Sequence, residues 1–272
     1  MIETNIKNHI LSSLKSLEEK RNIKILYAVL CGSRASGIEN INTDYDIKFV
    51  YVRKPYEYLT IEQNPVDSVC AASGAYNENT PIVIDMIGYD LRRFLRLLFD
   101  SKAEVFEMLK SPCVLIESNT INEIANISDS YFSPVNLAHH YYQKANTYFS
   151  IFNKIITDDT QPETYTYKRK IRLKTILAIL KTSYIEKYEE MPPVILSELI
   201  EIMIDDFPEG SNIDNYIVNW EKAFDFIDIK KHKLNNAKIN ACVQYYGMQH
   251  AYDRLNEIFI KAVKEFDGDN ND

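Results

Sequence analysis

The fold turns on residues 31–52, CGSRASGIENINTDYDIKFVYV. An apolar run over 23–30 leads into this stretch and stops at Gly32-Ser33, the pattern of a buried strand that ends in a turn. Ten residues follow, and Asp44 and Asp46 then open a second strand, YDIKFVYV over 45–52, rich in aromatic and β-branched types. Alternate residues of a strand share a face, so the two carboxylates project side by side, about 7 Å apart at the Cα level. Anions so placed repel each other, and burying them unpaired is costly. A hard divalent cation removes the conflict, and Mg2+ favours carboxylates combined with substrate phosphates. At Gly32-Ser33, backbone N–H groups and a hydroxyl can hold a phosphate, and Gly32 permits a close approach.

A third carboxylate completes such a site. PIVIDMI, residues 81–87, reads as a third strand, and Asp85 interrupts it on the face shared with Val83 and Ile87. Taken singly, each feature has an ordinary reading. Asp44 can cap a turn, turns favour Gly and Ser, and Asp85 can sit on an exposed edge. Together, a strand, Gly-Ser, ten residues, D-x-D, a strand and a later strand with a solitary Asp point to two-metal phosphoryl transfer.

Outward from this centre, residues 4–20 space Ile6, Ile10, Leu14 and Leu17 as an amphipathic opening helix. Asp90 is placed to cap a helix carrying Leu91, Phe94, Leu95 and Leu98, and Ser101 is a candidate cap for a further short helix. From Pro134 the pattern is helical, with expected helices over 134–156, 166–189, 194–205, 212–231 and 238–266. The expected organisation is a core domain over 1–130, a helical domain over 131–266 and a disordered tail over 267–272. No internal repeat is visible.

The 272 residues are 46% hydrophobic with 7 Gly and 9 Pro, enough for a packed core and unlike a low-complexity chain. The longest apolar run, 25–31, is seven residues. A membrane helix needs about 20, so no span is expected. MIETNIKNHI lacks the cationic-then-apolar order of a secretory signal, and the expected compartment is the cytoplasm. Cys31, Cys70, Cys113 and Cys242 are too scattered for a disulfide framework or a zinc knuckle. The His139-His140 pair reads as structural or surface. The net charge of -8 argues against a protein that coats nucleic acid over its whole surface. One segment departs from it: residues 165–187 hold seven Lys or Arg and the single acid Glu186. On a helical wheel Leu173, Ile176, Leu177, Leu180 and Tyr184 form an apolar stripe there, with Tyr167, Lys170, Lys174 and Lys181 as a basic face beside it. That face is either a solvated surface or a cleft wall that holds triphosphate or nucleic acid.

GS-x10-D-x-D is the signature of the DNA polymerase β-like nucleotidyltransferase superfamily. The longer segments GSRASG, TDYDIKFVYVRKPYEYL, IDMIGYDLRRFLRLL and MPPVILSEL resemble the predicted nucleotidyltransferases of RNA-repair operons, the RlaP-type family, over roughly residues 25–200. The resemblance implies an α+β protein, with a polymerase-β-like core (a small mixed sheet with flanking helices) followed by a C-terminal helical bundle. It implies metal-dependent transfer of a nucleoside monophosphate from an NTP to a hydroxyl, foremost an RNA 3′ end such as that of a tRNA, with release of pyrophosphate. Residue by residue, Gly32 and Ser33 match the nucleotide-phosphate contact and Arg34 a phosphate or acceptor contact. Asp44 and Asp46 match the metal-binding pair. Asp85 matches the third carboxylate, which also orients or deprotonates the acceptor. Mg2+ or Mn2+ is the implied cofactor. Lys170 and Lys174 are the candidate nucleotide contacts of the basic helix, where this chain reads YKRKIRLKT and relatives tend to carry Lys-Lys-Tyr-Leu-Tyr-x-x-Arg-Pro. The expected partners are an NTP and RNA, with neither membrane nor stable DNA binding. Two other readings stay open: transfer of AMP to a protein hydroxyl, as toxin–antitoxin enzymes of the superfamily do, and a non-catalytic nucleotide-binding module.

Overall fold

Helix α1 (Thr4–Arg21) buries Ile6, Ile10 and Leu14, and Asn22, left-handed at φ 48, closes it with an N–H returned to the Glu18 carbonyl. Strand β1 (Ile23–Cys31) follows at once and ends in the one-turn helix α2 (Gly32–Ala35). In the computed structural model, which describes residues 2–40, 43–60, 68–75, 83–155, 162–203 and 249–268, the chain then returns as β2 (Tyr45–Arg53). After α3 (Pro55–Tyr58) come β3 (Ser68–Ala75) and β4 (Val83–Asp90), then α4 (Leu91–Phe99), α5 (Ala103–Leu109), β5 (Val114–Glu117) and α6 (Asn119–Ile127). The strands form one mixed sheet in the order β3-β4-β2-β1-β5, parallel between β2 and β4 and antiparallel elsewhere. This is the α+β architecture expected. The third expected strand ends three residues later than its apolar pattern suggested, at Asp90, and residues 81–82 fall outside the described residues.

Strand β2 is central, and its two faces differ. Tyr45, Ile47, Phe49 and Tyr51 are buried on one, while Asp46 and Lys48 are half-buried on the other. Each large side chain buried in this way contributes about 1.5–3 kcal/mol. Gly88 pairs with Phe49 across the sheet, and a Cβ there would come within 2.4 Å of the Phe49 ring, so the ring lies directly on the backbone of β4.

Asp90 does cap α4: its carboxylate accepts from the Arg92 N–H at 2.9 Å. It also accepts the Tyr58 hydroxyl at 2.9 Å and lies 3.6 Å from the Arg53 guanidinium, at 2% exposure. Burial pushes its carboxyl up, against the opposing pull of Tyr58, the Arg92 N–H and Arg53. Ser101 does not cap the next helix. It is buried and left-handed at φ 52, ending α4, and Lys102 occupies the α5 N-cap without a side-chain bond.

The closing helix α10 (Gln249–Gly268) packs on this corner. Phe259 meets Tyr58 edge-on at 5.1 Å, the Lys54 ammonium lies 4.4 Å over Phe266, and Phe99 meets Tyr252 at 4.7 Å. Arg254 and Lys261 both reach Glu123 of α6, at 2.7 and 3.1 Å. The segments YVRKPYEYL and GYDLRRFLRLL thus form the seat of α10. The chain accordingly divides as 1–131 together with 247–272, and 132–246. The expected division gave α10 to the helical part. Its aromatic and ionic contacts put it with the first unit, and Asp267 and Gly268, expected in the tail, are its last turn.

In the second unit α7 (Pro134–Lys154), capped by Ser133, packs against α8 (Pro162–Tyr188), and α9 (Leu196–Met203) follows. The expected helix over 212–231, and 238–248 of the next, lie outside the described residues. Lys181 does not belong to a solvated basic face. At 2% exposure it is buried with its ammonium 4.9 Å over the Tyr141 ring. His140 likewise stacks edge-on against Tyr141 at 5.3 Å. Among the described residues no helix is long and apolar enough to cross a membrane.

Candidate active site

Gly32 takes φ +68, a left-handed turn that leads β1 into α2 and that a side chain would strain. The Asp46 carboxylate rests against it: a Cβ on Gly32 would lie 1.9 Å from Asp46 Oδ2. Ser33 follows at 5% exposure, and its carbonyl accepts the Ile38 N–H at 3.0 Å.

The return loop is tied down by Arg34. Its Nε and Nη2 both donate to the Thr43 carbonyl, at 2.9 and 2.6 Å, and its guanidinium lies 3.9 Å over the Tyr45 ring. Thr43, 5% exposed, accepts from the Asn40 N–H at 2.9 Å and pairs with the Asn40 side chain at 3.1 Å. One guanidinium therefore fixes the residues on both sides of Asp44. The sequence expectation gave Arg34 a phosphate or acceptor contact, whereas here its fork is turned onto the loop backbone.

Asp46 pairs in register with Asp85 across the parallel β2–β4 contact and with Cys31 across the antiparallel β1–β2 contact. Cross-strand partners share a face about 4.8 Å apart, so Asp46 and Asp85 stand side by side, both half-buried. Asp44, exposed, precedes β2 by one residue and is two along from Asp46. Among the described residues no group of three or more His, Cys, Asp or Glu side chains is already gathered as a metal cage. The donor chemistry nonetheless fits a hard divalent cation that keeps part of its shell for phosphates: oxygen ligands, two of them in register, one packed on a glycine with no Cβ to intervene.

A second charged group on the same face was not foreseen. Lys48, two residues beyond Asp46, pairs with Glu104 of α5, which also accepts the Tyr89 hydroxyl at 2.5 Å. Burial works against the Lys48 charge, yet Glu104 with Cys31 and Tyr89 holds its pKa above the ordinary value. Burial also pushes the Cys31 thiol up to about 12, so it is inert as a nucleophile. Strand alternation from Asp46 would have placed Lys48 on this face; its partner on α5 has no sequence signal.

Lys170 and Lys174 are half-buried on α8 in the second unit, and the Lys174 ammonium lies 5.6 Å over the Tyr148 ring.

Comparison with known proteins adds three findings. A model of the RNA repair pathway DNA polymerase beta family matches residues 6–260. The uncharacterized protein YcgL of Bacillus subtilis (strain 168) is 30% identical over 200 residues, which cover 72% of this chain and 70% of that protein. A nucleotidyltransferase-like protein from Exiguobacterium sibiricum 255-15, of known crystal structure, superposes with a TM-score of 0.29 and 8% identity, over 78% of this chain and 69% of that one.

Proposed function

Because the chain belongs to the RNA repair pathway DNA polymerase beta family and is a nucleotidyltransferase, we propose that it transfers a nucleoside monophosphate from an NTP to the 3′ hydroxyl of an RNA, a tRNA or a broken strand. The observation that carries this reading is the Asp46–Asp85 register beside Gly32. The acceptor oxygen attacks the α-phosphorus, the bond to the β-phosphate oxygen breaks, and pyrophosphate leaves with the electron pair. Asp85 orients the acceptor hydroxyl and takes its proton. Gly32 and Ser33 hold the nucleotide phosphates at the turn. Asp44, Asp46 and Asp85 would hold Mg2+ or Mn2+, which supplies charge neutralisation of the triphosphate and leaving group. Lys170 and Lys174 contribute positive potential toward phosphates.

The test is incubation of the full chain with each labelled NTP, Mg2+ or Mn2+, and either tRNA, nicked RNA or total protein. Label in RNA, lost on chelation, is expected. Label confined to protein makes the enzyme an AMP-transferase of protein hydroxyls, and no label in any arm removes the catalytic reading.

Arg34 gives a sharper measurement. Acting through the Thr43 carbonyl and Tyr45, it positions Asp44 and Asp46 without touching the nucleotide. Arg34→Lys keeps the charge and loses the fork, so kcat should fall about 10–100-fold, as when a partner behind a metal ligand is removed. KM for the NTP should stay within about twofold. A raised KM with kcat unchanged would return Arg34 to the phosphate contact that the sequence suggested.

A further inference from the structure

The start of α8 interleaves exposed aromatic rings with cations, well beyond the two lysines, Lys170 and Lys174, proposed above to act on the nucleotide phosphates. Tyr165 and Tyr167 are 62% and 49% exposed, large for aromatic rings on a helix. Lys168, Arg169 and Lys170 follow directly, with Arg169 exposed and the two lysines half-buried. One turn further, the same alternation continues against α7: the Arg172 guanidinium lies 4.7 Å over Phe152, and Lys174 lies over Tyr148. From 165 to 180 the sequence holds five Lys or Arg and no acid, in a chain of net charge -8. Tyr167, Lys170 and Lys174 recur at i, i+3 and i+7, one stripe of the helix; Tyr165, Arg169 and Arg172 form a second beside it.

We propose that this end of the α7–α8 pair is a binding band for single-stranded polynucleotide, on which bases stack against Tyr165 and Tyr167 while the cations track the phosphates. Within the reaction proposed above, and resting on it, the strand is the acceptor RNA upstream of its reacting end.

Three considerations favour this occupant. Aromatic faces interleaved with Lys and Arg are how sequence-tolerant single-strand binders work, because every base has a π-face and every linkage a charge. Charge complementarity is local: this stretch is cationic within a chain of net charge -8, so a polyanion is drawn to it rather than to acidic surface. Arg172 and Lys174 are already held over rings, which fixes these cations in place and lowers the ordering cost of engaging phosphate. A protein partner of acidic sequence would use the cations and leave the two tyrosines without a role.

The test is fluorescence anisotropy of a labelled RNA of about 15 nucleotides with the full chain, at about 50 and about 200 mM salt. Wild type should bind, more weakly at the higher salt. Tyr165→Ala/Tyr167→Ala should lose at least about tenfold in affinity at both salts, with the salt slope unchanged, because stacking releases no counterions. Tyr165→Phe/Tyr167→Phe should bind within about twofold of wild type, since the π-face is kept. Lys168→Ala/Lys170→Ala should weaken binding and flatten the slope. Far-ultraviolet circular dichroism verifies the fold of each variant. An RNA that wild type does not bind overturns the proposal, and so does an alanine double variant that binds like wild type. The reaction is scored separately. RNA extended by wild type and bound equally by the tyrosine variants refutes the band and leaves the transfer reaction. RNA bound through the tyrosines but never extended leaves the band and refutes the reaction.

Discussion

Asp46→Asn is expected to lower kcat for nucleotidyl transfer on the order of 10³-fold, a loss of the size seen when a principal transition-state stabiliser is removed, and to leave the protein without NTP at least as stable as wild type. Asn has the same shape, so it fits the space against Gly32 that a Cβ would fill. What changes is charge. Asp46 stands in register with Asp85, and two like charges on one face repel each other. Removing one relieves that repulsion and, on the reaction proposed above, also removes a metal ligand. Wild type should gain melting temperature with Mn2+ and NTP through mass action on the folded state. The variant should gain little, and chelation should return wild type to its starting value. A variant that melts well below wild type alone, with its ligand-induced gain intact, would mean that Asp46 is a structural acid.

Gly32→Ala should damage stability and activity together. The left-handed φ of +68 costs a non-glycine residue about 1–2 kcal/mol. The new methyl would lie 1.9 Å from Asp46 Oδ2, which forces the carboxylate away, a rearrangement of the overpacking kind that costs about 1–3 kcal/mol. Together the loss is roughly 2–5 kcal/mol, with activity reduced at least as far as Asp46→Asn reduces it, since the same carboxylate is displaced. A double variant isolates the contact. In Gly32→Ala/Asp46→Ala the obstructing carboxylate is gone, so stability should recover part of the single variant's loss and the two changes should be non-additive. Strict additivity by denaturant unfolding would show that the glycine serves only its turn.

The sequence made the centre of the sheet legible because three independent regularities coincide there: a buried run ending in Gly-Ser, strand alternation, and carboxylates at the strand opening. Asp90 was readable for a local reason, since a cap acts on the helix next to it in the chain. The edges were not readable. β3 is SVCAASGA, small residues with weak strand propensity, held by pairing with β4 rather than by its own preference. β5 has four residues, too short for any period to show. Helix α6 carries a weak local signal, Ser118 as cap with Ile121 and Ile124 on the buried side. The hydrogen bonds of Arg34 to the loop have no local signal: its position after Gly-Ser suggests phosphate, while the carbonyl it holds belongs to Thr43, nine residues away. Lys181 misled for a related reason: wheel position gives a direction, and only the packing partner, the Tyr141 ring, shows that the direction is inward.

The seat of α10 has a consequence for biosynthesis. The first unit is discontinuous, its last helix supplied from residues 249–268 while its sheet is finished before Tyr131. At a synthesis rate of about 5–20 residues per second, the ribosome spends several seconds to tens of seconds on the intervening unit. Throughout that interval Tyr58 and Phe99 lack the ring partners that Phe259 and Tyr252 will bring. The sheet with its carboxylate pair therefore waits on the ribosome with one apolar corner uncovered. That corner is where a chaperone would be drawn to the nascent chain, and a message truncated before codon 249 would leave the corner open for good.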